Sequence, residues 1–345
     1  MHQFTVSIII PFLNAGKTLS KCIDALRSQT LKPSEIILVD NNSSDESPSI
    51  AKAAVYRQPA TFKYVLEKRK GPSFARNKGV KHAKGEILVF TDADCIPHSN
   101  WLTNLLPTFD DIKVGAVAGR VLGFEPKSAA DKFHSLFTMT GPSTGRIYTE
   151  FSLVTGGFPT ANLAVRKEVI DLINGFDEDL EIYSEDYDLC ARIYKAGYHI
   201  SYVPEAVVYH QHRNSLSGTW RQGFGFGKGH AILLKRHFER MVIIDLPKIH
   251  YQSQKWPLKM WLDMQGADKR IIALMLLALS WRPLWSILIA YLLYLFLHMK
   301  TRLKERNLHA GFLEKWQMVA ALLVKTSAMT TGRIAGAIRE RVLCF

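Results

Sequence analysis

Between Val6 and Phe90 short apolar runs alternate with stretches of helical periodicity, and two of the runs stop at aspartates. Val6–Ile10 is β-branched and gives way to a loop-like Pro11–Gly16, after which Leu19, Cys22, Ile23 and Leu26 recur at helical spacing. Glu35–Asp40 predicts a second strand, ending in the polar run Asn41–Asp45, and Phe62–Leu66 a third. A helix is expected from Ser73 to His82, and Glu86–Phe90 is a fourth strand running into Thr91–Asp94. Strands that are apolar nearly throughout and separated by helices belong to a mostly parallel sheet covered on both faces, an α/β fold. Ligands of such sheets gather at the carboxyl ends of the strands, where Asp40, Asp92 and Asp94 fall. Farther on, Asn174–Asp177 reads as a turn and Glu185–Ala196 as a helix. His199–Val203 then reads as a strand, followed by Val207–Tyr209 and the cluster His210–Arg213.

With 345 residues the chain has room for about two domains and a large core. Its four cysteines, Cys22, Cys95, Cys190 and Cys344, stand far apart with no C-x-x-C pair. That speaks against a disulfide scaffold or a zinc ribbon and fits reduced thiols in a cytosolic compartment. The formal net charge of +13 is unevenly placed: residues 1–227 carry +1, residues 228–270 carry +5 and residues 298–345 carry +6. Two basic stretches enclosing an apolar one suit an anionic membrane surface better than nucleic acid. Val6–Leu13 lacks a charged start and a small-residue cleavage site and contains a proline, so it reads as a buried strand, not a signal peptide.

Three constellations carry chemistry. Asp92-Ala93-Asp94 offers two carboxylates that can turn toward one ligand after a buried strand. Hard oxygen donors there suit Mg²⁺ or Mn²⁺ held jointly with substrate phosphates; the bland alternative is a solvated turn. Asp94 is the expected metal ligand, and Asp92 either touches ribose or shares the metal. Asp40, followed by two asparagines and two serines, offers acceptors for a nucleoside, or else caps the next helix. Lys68–Lys70 with Arg76 and Asn77 could neutralise a diphosphate at the start of the Ser73 helix, or form a solvated basic loop.

Taken together, Val6–Gly16, Ile37–Asp45, Gly71–Gly79 and Asp92–Asp94 resemble the nucleotide-binding half of the family 2 glycosyltransferases, which have the GT-A fold. The resemblance continues through Gly156–Arg166, Gly175–Glu178 and Glu185–Leu189, covering roughly residues 5–230. It implies an NDP-sugar donor, taken here as UDP-linked, a divalent metal (Mn²⁺ or Mg²⁺) at the D-x-D, and inversion at the anomeric carbon. Matched position by position, it implies that Asp186 is the catalytic base and that His210 joins Asp94 at the metal. It also implies substrate contacts from Pro11, Asn14, Asp40, Arg76, Asn77, Asp92, Asn162, Glu185 and Arg221.

The acidic run has its own physical case. Inverting transfer needs a base that takes the acceptor hydroxyl proton. Adjacent Glu185, Asp186 and Asp188 favour one another's protonation and so raise a base's pKa. Simple charge complementation of a helix N-terminus is the competing explanation. His210 and His212 after an apolar strand are surface or packing residues unless the metal recruits one. Processive members of the family carry Q-x-x-R-W after the acidic pair; here Trp220-Arg221-Gln222 has the order wrong, which points to a non-processive enzyme.

Ile271–Leu297 is nearly all apolar but is broken by Ser280-Trp281-Arg282-Pro283. As one helix it would be about 40 Å long, enough to span a bilayer core, yet Arg282 and Pro283 would fall near its middle. Split there, the arms are about 14 and 21 Å, too short to span separately. A span would also put the two basic flanks on opposite sides, against the positive-inside tendency. A re-entrant or interfacial helical pair with both flanks cytoplasmic is therefore expected, with a buried soluble hairpin as the alternative. The expected organisation is a GT-A catalytic domain over 1–227, a basic linker or amphipathic region over 228–270, and a helical membrane-associated region over 271–345. The protein is expected at the cytoplasmic face of the cell membrane, acting on a hydroxyl of a lipid-linked glycan or polysaccharide precursor. The competing functions are a polyprenyl-phosphate sugar synthase and a catalytically silent partner in a glycan-assembly complex.

Overall fold

The computed structural model describes residues 4–345 except 140, 154, 181–182, 212–214, 240, 247–248, 254–257 and 281–282. Arg282 and His212, both singled out from the sequence, lie outside the described residues.

The chain divides into two units. The first comprises residues 1–124 and 139–211. It opens with β1 (Val6–Phe12), α1 (Leu19–Arg27), β2 (Glu35–Asp40), α2 (Ser47–Arg57), β3 (Phe62–Leu66), α3 (Pro72–His82) and β4 (Ile87–Phe90), the alternation the apolar runs predict. There follow β5 (Cys95–Pro97), α4 (Trp101–Leu105) and β6 (Val114–Gly123). The chain then leaves for α5 (Ala129–Phe137), which belongs to the second unit, and returns with β7 (Arg146–Tyr148), β8 (Leu163–Arg166), α6 (Lys167–Leu172), α7 (Glu185–Lys195) and β9 (His199–His210).

Among the described residues these strands form one nine-stranded sheet in the order β3-β2-β1-β4-β8-β6-β9-β5, with β7 also paired to β9. The first four strands are parallel; β8 lies antiparallel to both β4 and β6, and β9 is again parallel to β6. β1, β2 and β4 are buried almost end to end, because helices cover both faces and leave no face for polar residues. The stretch read as two pieces, His199–Val203 and Val207–Tyr209, is one strand with a register shift opposite Gly119 and Arg120. α3 lies flush on the sheet because residue 79 is glycine: a Cβ there would stand 2.4 Å from Ile9 Cγ2. That close seat brings Arg76, one turn earlier, to the carboxyl end of β4.

The second unit comprises residues 125–138 and 212–345. Besides α5 it contains α8 (Leu216–His237), β10 (Met241–Leu246), β11 (Ile249–Ser253), β12 (Lys259–Asp263), α9 (Ala267–Ser280), α10 (Leu284–Glu305), α11 (Phe312–Glu340) and β13 (Leu343–Cys344). Two expectations are corrected here. The boundary placed at 227 falls inside α8, and the presumed basic linker is the end of that helix plus three strands of a sheet ordered β11-β10-β12-β13. α8 and α11 pack backbone to backbone: a Cβ on Gly227 would lie 2.2 Å from Met329 O. α5 buries Phe133 and Leu136 in a cluster with Leu295, Met299 and Leu303 of α10 and Met318 and Val319 of α11.

α9 ends and α10 begins at the expected break, but the second arm is longer than expected. α10 runs 22 residues, about 33 Å, because its helix continues past the apolar segment into Lys300, Arg302 and Lys304. By length and composition Trp285–Glu305 could cross a membrane, and 22% of its most apolar stretch is buried. Leu288, Leu295, Met299 and Leu303 face inward, whereas Trp285, Ile287, Ile289, Leu293, Tyr294 and Leu297 are exposed.

Candidate active site

β4 ends at Phe90, and the chain bends at Thr91, whose hydroxyl donates to Ala161 O at 2.9 Å. The bend turns Asp92 and Asp94 toward β9. Cys95 begins β5 and lies directly opposite His210, the last residue of β9, with Gln211 N donating to Asp94 O at 2.9 Å. His210 Nε2 stands 3.4 Å from Asp94 Oδ1, and the ligand atoms of Asp92, Asp94, Cys95 and His210 all lie within 4.8 Å of one another. Two carboxylates and an imidazole converging in this way fit a divalent cation of the Mg²⁺ or Mn²⁺ class. The pKa of Asp92 is raised by burial, with Arg76 opposing and Asp94 adding to the rise.

Arg76 joins this cluster to the acidic run. It is buried, donates from Nη2 to Asp92 Oδ1 at 3.3 Å and from Nη1 to Glu185 Oε1 at 3.0 Å, and lies over the Phe176 ring. The sequence suggested that this cation faces a diphosphate; in the structure it pairs with two carboxylates. Of the three acids at the start of α7, Glu185 is held by Arg76 and by Ser184 N, and Asp188 by Arg192 Nε at 2.7 Å. Asp186 has no ion pair among the described residues; its Oδ1 accepts from Tyr187 N at 2.9 Å. Burial, and then the charge of Glu185, push its pKa up to about 7, against the pull of Arg76. Helix-end complementation alone does not require a half-buried acid that holds its proton to neutrality.

The other expected contact residues have these surroundings. Asn162 is fully buried: its amide nitrogen donates to Arg120 O and Ala206 O, and its oxygen accepts from Trp101 Nε1 at 2.8 Å. It bolts β6, β9 and α4 together. Asn77 clamps the turn after α6, donating to Phe176 O and Glu178 Oε1 and accepting from Phe176 N. Arg69 of the basic loop pairs with Glu67 and Glu178. Asp40 is buried, with Oδ1 accepting from Ser43 N and Oδ2 from Tyr64 OH at 2.7 Å; it does not cap the next helix, whose N-cap is Glu46. Asn14, at φ 51°, is exposed and ties its loop to the next by accepting from Ser44 N. Pro11 is half-buried beside Val39, past the last β4 partner. Arg221 is exposed on α8 in the other unit. Two participants went unnoticed in the sequence. Tyr64 gave no signal; Cys95 did, by following the D-x-D directly.

This geometry can be set beside known proteins. The sequence model described as "Glycosyl transferase family 2" matches residues 7–173. Glycosyltransferase AglE of Haloferax volcanii is 30% identical over 264 residues, covering 72% of this chain and 84% of the relative. The chain belongs to glycosyltransferase family 2. The O-antigen chain rhamnosyltransferase RfbN of Salmonella typhimurium is 27% identical, covering 66% of this enzyme and 72% of the relative. Some relatives are longer: the enzyme spans about half of the pre-mycofactocin glycosyltransferase of Mycobacterium tuberculosis, 28% identical over 236 residues. In fold it matches a mannosyltransferase of Pyrobaculum calidifontis solved with GDP-Man and Mn²⁺, at a TM-score of 0.57 and 18% identity, covering 97% of this chain and 87% of that one. The sheet flanked by helices is thus the GT-A fold, and the enzyme is a glycosyltransferase.

Proposed function

We propose that the enzyme transfers a sugar from a nucleoside diphosphate sugar to an acceptor hydroxyl by a single inverting displacement. One observation carries the reading: buried Arg76 bridges Asp92 of the candidate metal cluster and Glu185 beside Asp186, putting a proton-taking carboxylate next to the donor-diphosphate site. In this reading the acceptor oxygen attacks the anomeric carbon while Asp186 takes its proton, and the nucleotide leaves from the opposite face. A bound divalent cation would supply positive charge to the departing diphosphate; Asp94 and His210 would hold it, with Asp92 sharing it or meeting the ribose. Arg76 fixes the spacing of the two carboxylate groups.

The same reading places the acceptor on a lipid-linked glycan or polysaccharide precursor at the cytoplasmic face of the cell membrane. What supports this is the exposed apolar side of α9 and α10, with Ile272, Met275, Leu276 and Leu279 on the first helix, followed by the basic end of the second. The test is to incubate the membrane-bound protein and Mn²⁺ with a panel of NDP-sugars and either a lipid-linked glycan or a bare polyprenyl phosphate. Product on the glycan supports the reading; product on polyprenyl phosphate alone gives the lipid-phosphate synthase, and retention of the donor's anomeric configuration refutes the single displacement.

A further inference from the structure

The candidate metal cluster contains one donor that neither the transfer chemistry nor the resemblance calls for. Cys95 Sγ lies 3.9 Å from Asp94 Oδ1, on a strand register that sets Cys95 directly across from His210. Donor atoms around a tetrahedral zinc ion, at bond lengths of about 2.0–2.3 Å, stand about 3.3–3.5 Å apart. The observed 3.4 Å from His210 Nε2 to Asp94 Oδ1 and 3.9 Å from Cys95 Sγ to the same oxygen are within a few tenths of an ångström of that spacing. Asp92 supplies the fourth atom of a set no wider than 4.8 Å.

We propose that Cys95 makes this a mixed hard and soft site, at which a thiophilic divalent cation of the Zn²⁺ or Cd²⁺ class binds through sulfur, imidazole and carboxylate and displaces the Mn²⁺ or Mg²⁺ needed for transfer. The proposal rests on the metal reading of the proposed function. Mn²⁺ and Mg²⁺ take oxygen and nitrogen donors and gain little from a thiol, whereas Zn²⁺ and Cd²⁺ bind thiolate strongly. Binding is a balanced exchange: the S–H bond breaks, the metal–sulfur bond forms, and the proton leaves to buffer. A closed four-donor shell from the protein leaves no position for the donor diphosphate, in contrast to a catalytic site with an open one. The consequence is an enzyme that thiophilic cations inhibit by competing with Mn²⁺.

The full chain, stripped of metal with a chelator, is titrated with Co²⁺ alone and followed by absorption and calorimetry. A near-ultraviolet thiolate-to-cobalt charge-transfer band is expected in the native protein and in Cys22→Ala, whose sulfur instead contacts Asp92 O at 3.6 Å. Cys95→Ser should lose the band while still binding Co²⁺. Its affinity for Cd²⁺ should fall at least about tenfold and its affinity for Mn²⁺ should change much less, so the thiol's share is separated from the general preference for zinc over manganese. Co²⁺ binding without the band, or a band that survives Cys95→Ser, overturns the proposal and leaves the metal reading standing. Failure of every cation to bind overturns both.

Discussion

Replacing Asp186 by asparagine should separate two properties that one carboxylate now joins, turnover and a pH-dependent stability. Asparagine keeps the oxygen that accepts from Tyr187 N but cannot take a proton. Burial and Glu185 lift the pKa of Asp186 from 3.8 to about 7, so the folded chain holds this proton more tightly than the unfolded chain does. The resulting stabilisation is fully present below the unfolded value and is lost as pH rises through the folded one. About three pH units at about 1.4 kcal/mol each set a ceiling near 4 kcal/mol. Partial exposure reduces the expected effect to about 1–2 kcal/mol. Asparagine avoids that loss. The variant should melt about 2–8 °C above the native protein at pH 8, and the gap should close at pH 4. Transfer should fall by about 10²–10⁴-fold, with the acidic limb of the native rate profile absent. Thermal melts at the two pH values and a radiolabelled transfer assay measure both. A gap of equal size at pH 4 and pH 8 would show that Asp186 is not the elevated acid, and near-normal turnover would move the base to Glu185 or Asp188.

Asp94→Ala should abolish Mn²⁺-dependent binding of a nucleoside diphosphate while the fold persists; unchanged affinity by calorimetry would remove Asp94 from the site. Asn162→Leu leaves two carbonyls and an indole N–H buried without partners and should cost about 3–5 kcal/mol in denaturant unfolding, a cost that an exposed ligand-contacting asparagine would not incur. If α9 and α10 enter the bilayer from one side, Gln265→Cys and Glu305→Cys should resist a membrane-impermeant thiol reagent in intact cells and react after permeabilisation. Reaction of position 305 alone from outside would establish a span, and extraction by high salt without detergent would favour a soluble hairpin.

The strands β1, β2 and β4 were legible because burial on both faces demands unbroken apolar runs, a pattern visible locally. The D-x-D was legible for the same reason: its position follows from where β4 ends. What sequence patterns could not do was sort polar motif residues into those that face a ligand and those that brace the fold. Arg76 and Glu185 are 109 positions apart, and Asn162 reaches Trp101 across 61, so nothing local distinguishes a spent side chain from a waiting one. β6 was missed because Val114–Gly123 mixes small residues and glycine with its β-branched ones. α5 carried a signal that went unused: Ser128 and Asp131 form a capping box at its start. In the second unit the apolar run Met241–Ile244 is too short to stand out beside the basic residues around it, and it meets a buried Asp245.

α5 also sets an order of events at the ribosome. Its apolar face is covered by helices encoded far downstream, and its polar edges are tied to them too, Lys132 to Glu314 and Phe137 O to Lys325. At about 5–20 residues per second, synthesis reaches α11 some 10–40 s after α5 has emerged. Throughout that wait Phe133 and Leu136 lack their eventual neighbours, although the strands on either side of the excursion can already be pairing. A message truncated before Phe312 would therefore release not a free-standing catalytic half but a sheet trailing an adhesive helix, material for chaperones and proteases.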